Sequence, residues 1–105
     1  MSRVDDNIHF LRFIASTPTV KQRQCVLRTA SKEQILALTE IVLNLLNGNI
    51  DVSDDTLKIL KAYRKHLRKV GAEKKKKISW NKRKESAVKA AKAISMLLKD
   101  FKSIW

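Results

Sequence analysis

Residues 31–48, SKEQILALTEIVLNLLNG, decide the fold, because no other stretch of the chain is as apolar or as clearly punctuated. Ser31 followed by Gln34 has the form of a capping box, in which the serine hydroxyl accepts a backbone N–H and the glutamine side chain reaches back. Gly48 supplies the stop, since it takes the left-handed conformation at little steric cost. Between these ends Ile35, Leu36, Leu38, Ile41, Val42, Leu43, Leu45 and Leu46 spread over more than one stripe of the cylinder. A helix apolar over most of its girth is expected to be buried, so the reading is a central helix over about 32–47 with neighbours on several sides.

Composition restricts those neighbours. The 105 residues make one small domain, and two glycines and one proline leave few turn-formers for a sheet. No alternating β-branched run occurs, so the expected fold class is all-α, a small protein of about four to five helices. A lone cysteine, Cys25, excludes an internal disulfide. With neither a secretory signal nor a membrane-length apolar run, an intracellular, reducing setting is expected.

Outward from the centre, residues 5–15 read as a short amphipathic helix carrying Ile8, Phe10, Leu11, Phe13 and Ile14, with Asp5 and Asp6 favoured in its first turn. Pro18 breaks it and suits the first position of a second helix capped by Thr17 and running to about Ala30, with a thinner face of Val20, Val26, Leu27 and Cys25 laid across the centre. On the other side Ser53-Asp54-Asp55 starts a helix to about Val70, burying Leu57, Leu60, Leu67 and Val70. Gly71 to Lys77 reads as a hinge, because four successive lysines repel. Ser79 then caps a last helix to the carboxyl end. The expected organisation is a helical core over 1–70, with 71–105 either part of the same unit or an extension of it.

Charge is distributed very unevenly. Residues 1–57 hold six Lys/Arg against seven Asp/Glu, whereas residues 58–105 hold seventeen against three, a net of −1 and of +14. Folding does not require this, and a face crowded with one sign repels itself until a polyanion neutralises it. The expected phosphate contacts are Lys58, Lys61, Arg64, Lys65, Arg68, Lys69, Lys74, Lys75, Lys76, Lys77, Lys82, Arg83 and Lys84. Helix-borne cations without interleaved aromatics position a duplex without reading its bases. The bland alternative is a solvated face. Trp80 fits either a stacking role or a packing anchor, and Lys74–Lys77 with Lys82-Arg83-Lys84 has the form of a bipartite nuclear import signal, a common pattern.

On the last helix Ala87, Ala91, Ile94, Leu98, Phe101 and Trp105 repeat at alternating spacings of four and three, a heptad-like seam expected to pair two copies, with Lys82, Lys89, Lys92 and Lys99 roughly opposite. Two other uses of this helix compete: an adaptor binding a partner helix along the seam, and a basic amphipathic helix ending in Phe101, Ile104 and Trp105 on an anionic membrane surface. Catalysis is not expected, because His9, His66 and Cys25 are dispersed and no paired carboxylates occur on the basic half. The same dispersal gives no metal site and no cofactor.

The succession Phe10-Leu11, Gln22-Arg23, Thr29-Ala30-Ser31-Lys32-Glu33-Gln34, Glu40-Ile41, Leu43-Asn44, Leu46 and Gly48-Asn49-Ile50, followed by a basic helix with His66, resembles small basic proteins of Polinton/Maverick elements and related adintovirus- and adenovirus-like DNA viruses. The resemblance covers roughly residues 9–85 and departs at Asp51–Thr56, which is acidic here, and in the amphipathic ending. It implies a virion-core or DNA-packaging role in a host nucleus or virion. Together the readings give non-specific duplex DNA binding by a homo-oligomer.

Overall fold

The computed structural model describes residues 2–72 and 78–101, without the side chains of Ser2 and Phe101. The chain is all-α, with eight helices among these residues and no strand. They amount to the expected rods, three of which are interrupted. The first is α1 (Ser2–Asp6) and α2 (Ile8–Ser16), parted at Asn7. The Asn7 amide donates to the Arg3 carbonyl at 2.8 Å, a local side-chain bond of the kind that competes with regular helix. The others are α5 (Asp54–Ala62) with α6 (Arg64–Val70), and α7 (Trp80–Lys89) with α8 (Ala91–Phe101), parted at Tyr63 and Ala90. At each interruption the backbone ladder resumes at once, the N–H groups of Leu11, Leu67 and Ile94 donating to the carbonyls of Asn7, Tyr63 and Ala90. The count of eight therefore exceeds the four to five expected.

α2 ends where Thr17 turns its hydroxyl back on the Phe13 carbonyl. Thr17 thereby serves as the C-cap of α2, and the cap of α3 (Val20–Thr29) falls to Thr19, whose oxygen accepts the Gln22 N–H at 3.2 Å, two residues later than the sequence suggests. α4 (Lys32–Leu46) carries both halves of the expected capping box: Gln34 N–H donates to Ser31 Oγ, and Ser31 N–H to Gln34 Oε1. It closes in a Schellman arrangement, with Asn49 N–H on the Asn44 carbonyl, Gly48 N–H on that of Leu45, and Gly48 at φ +75°.

α4 is nevertheless not the centre. It buries Ile35, Ala37, Leu38, Thr39, Ile41 and Val42, chiefly against α1 and α6, while Leu36, Leu43 and Leu45 are half-buried and Leu46 is 42% exposed. The enclosed element is α8, which packs on α2, α3, α5 and α7 and buries Ala91, Ala93, Ile94, Ser95, Leu97 and Leu98. Alanine and serine on two sides let neighbouring backbones approach closely. A search for large apolar residues passes over such a helix, seeing only the stripe. Ser95 donates to the Ile14 carbonyl at 3.4 Å, and Asp100 accepts the Ser53 N–H at 2.8 Å, tying both faces of α8 to the amino-terminal half.

One cluster of buried side chains therefore runs from Val4 to Leu98, through both the 1–70 segment and the helices after it. The radius of gyration, 12.2 Å, is close to the roughly 13 Å expected of a folded chain this long. Gly71 opens the stretch read as a hinge, of which residues 73–77 lie outside the described residues. It is buried against α4, where an added Cβ would lie 2.9 Å from Val42 Cγ1 and 3.2 Å from the Leu43 nitrogen.

Candidate nucleic-acid interface

Because α6 and α7 pack side by side, the two most cationic helices share one surface. Lys65, Arg68 and Lys69 on α6 and Lys82 and Lys89 on α7 are exposed, since their positions alternate with the inward Leu67, Val70, Ala87 and Val88. Among the described residues one acid lies with them. Glu85 pairs with Lys89, Nζ to Oε1 at 3.0 Å, and the hydrogen bond and charge of Lys89 hold its carboxyl below the ordinary range, with Lys69 and Lys82 adding to the same field. That three cations act on one carboxylate places residues of α6 and α7 within short electrostatic reach of each other.

Upstream, Lys58, Lys61 and Arg64 are exposed on α5 and at the start of α6. Lys74–Lys77 lie outside the described residues. Two of the expected contacts are instead internal. Arg83 is only 6% exposed, and its Nη1 donates to Thr39 Oγ1 at 3.1 Å and to the Val70 carbonyl at 2.9 Å, joining α7 to α4 and to the end of α6. Burial lowers its pKa, although a guanidinium stays charged at any ordinary pH. Lys84 is half-buried, with Nζ donating to the Ala30 carbonyl at 3.0 Å. The sequence offered Arg83 as one of a basic triplet, but on a helix three successive residues point about 100° apart, so they cannot share one outward face.

A residue absent from the expected set joins the surface. Arg28 of α3 lines a polar cleft of about 430 Å3 with Gln24, Asn81, Lys84, Glu85, Val88 and Lys89, formed where α3 packs on α7. It stands in the near-neutral half, and only the α3–α7 contact brings it over. Trp80 is half-buried against the core, which is the anchor reading.

The seam does not face outward. Ala87, Ala91, Ile94 and Leu98 are fully buried in their own chain, and the Phe101 side chain and Trp105 lie outside the description. The physical reason is that α8 is the centre of the core, so the described part of the stripe, Ala87 to Leu98, covers its own chain and is not open to a second copy or a partner helix, while Ile104 and Trp105 of the amphipathic ending lie outside the described residues. Lys89, Lys92 and Lys99 do point outward as expected. Among the described residues no helix is long and apolar enough to cross a membrane, and no group of His, Cys, Asp or Glu could hold a metal ion. No protein-family model, curated protein or solved structure matches the chain.

Proposed function

We propose that this protein binds double-stranded DNA through its phosphates, without sequence preference, using Lys65, Arg68, Lys69 and Lys82 as the central contacts and Lys58, Arg28 and Lys89 at the margins. The observation that carries the reading is the side-by-side packing of α6 and α7, which gathers cations into one exposed face holding, among the described residues, a single carboxylate. A rigid array of this kind suits regularly spaced phosphates, and lysine offers point charge without the fork geometry that reads a base edge. Arg83 and Lys84 serve the fold in this reading, and the protein binds without catalysing. Given the resemblance to small basic proteins of virus-like DNA elements, DNA condensation or packaging in a virion or host nucleus is the setting we favour.

Fluorescence anisotropy of a labelled 20-base-pair duplex over a salt series tests the proposal. With about four to six phosphates contacted, log affinity should fall against log salt with a slope of roughly −4 to −5. Duplexes of unrelated sequence should compete equally. A slope near zero, or a strong preference for one sequence, would refute the reading.

A further inference from the structure

Two of the exposed large apolar side chains, Leu46 (42%) and Leu57 (40%), flank one groove of about 210 Å3 between α4, α5 and α6, lined also by Leu45, Leu60, Leu67, Lys61 and Arg64. α5 is charged oppositely at its two ends: Asp54 and Asp55 open it, and Lys61 lies in its last turn. At about 100° per residue Asp54, Leu57 and Lys61 fall within about 60° of one another, so acid, apolar anchor and cation form one stripe. None of Asp51, Asp54, Lys61 and Arg64 has an ion-pair partner among the described residues.

We infer that a second copy of this chain occupies the groove, with the two α5 helices antiparallel across a two-fold axis. A two-fold contact uses the same patch on both partners, so a stripe must complement its own reverse. This one does. Reversed on itself it sets Asp54 opposite Lys61, a pair formed twice, while Leu46 and Leu57 of both copies cover the apolar floor. The apolar groove between α2 and α3, lined by Phe13, Pro18, Cys25 and Val26, bears Lys21 but no acid and has no such self-complementarity. The pairing goes beyond the DNA-binding reading and does not depend on it. It withdraws Lys61 and Arg64 from the phosphate contacts and doubles the α6/α7 face presented to a long polyanion.

Sedimentation velocity without nucleic acid, at 0.15 M salt and up to a few hundred micromolar protein, tests it. The wild type should move toward twice the 12.1 kDa chain mass as concentration rises. Leu57→Asp, at an exposed site where the fold should tolerate it, should weaken the dimer at least tenfold. Asp54→Lys and Lys61→Glu should each weaken it similarly, and the double variant Asp54→Lys/Lys61→Glu should restore it, because the two positions are two turns apart within a chain and meet only between chains. A wild type that stays monomeric overturns the inference and gives the groove to an unlike partner. A dimer indifferent to all these changes overturns it too. Circular dichroism of each variant confirms that the fold is kept.

Discussion

Replacing Arg83 with alanine separates a cation that holds the fold from one proposed to touch DNA. The guanidinium is buried and bonds to Thr39 Oγ1 and the Val70 carbonyl, so its loss leaves two buried acceptors without a donor. Hydrogen bonds from a charged donor contribute about 1.5–3 kcal/mol each, and relief of the buried charge offsets part of their loss. The net cost should be about 2 to 4 kcal/mol, which in a domain this small lowers Tm by more than about 8 °C. The neighbouring Lys82 is exposed, so Lys82→Ala should stay within about 0.5 kcal/mol of the wild type. Thermal melts by circular dichroism, with duplex affinity measured well below each melting point, give the comparison. Arg83→Ala should melt early and bind nearly normally, whereas Lys82→Ala should melt normally and bind weakly. An Arg83→Ala protein of full stability and lost affinity would refute the reasoning.

Other sites carry their own tests. Gly71→Ala should destabilise by about 1–3 kcal/mol in urea unfolding, because the new methyl meets the Leu43 backbone as well as Val42; an unchanged midpoint would show that α6 stands clear of α4. Leu97→Ala, on the enclosed α8, should cost about 2–5 kcal/mol and Leu46→Ala less than about 1, so equal losses would deny α8 its central place. For Asp100, burial alone would raise the carboxyl pKa, but the Ser53 N–H and the hydroxyls of Thr56 and Ser53 outweigh it and lower the value. A lowered folded pKa gives stability that is present above the unfolded carboxylate range, near about 4, and is lost as pH falls through the folded value. Wild type should therefore exceed Asp100→Asn in stability at pH 6, and the gap should close in acid; a gap that widens in acid would contradict the assignment.

Local rules carried the sequence reading a long way in some places. Ser31 with Gln34, Ser53 and Ser79 begin helices, and Gly48 ends one, where their chemistry predicts, because capping depends on a few adjacent residues. The exposed cations of α5 and α6 were legible for the same reason, since Leu60, Leu67 and Val70 define the inward side. The interruptions at Asn7, Tyr63 and Ala90 were not, as nothing in the apolar spacing marks them. The larger shift concerns which helix is enclosed. Size of side chain favoured α4, but alanines at 91 and 93 bring neighbours close around α8, and only long-range packing reveals that. Arg83 and Arg28 exchange roles through the same cause: α7 turns one arginine inward beneath α4, and the α3–α7 contact carries the other onto the basic face.

The central claim, that the α6/α7 face contacts phosphates, meets its most direct test in the salt dependence of a Lys65→Ala/Arg68→Ala/Lys69→Ala/Lys82→Ala variant measured beside the wild type. All four side chains are exposed, so the melting temperature should hold. Removing about four phosphate contacts should flatten the slope of log affinity against log salt by roughly 3 to 4. A variant that melts like the wild type and keeps both its affinity and its slope would contradict the account.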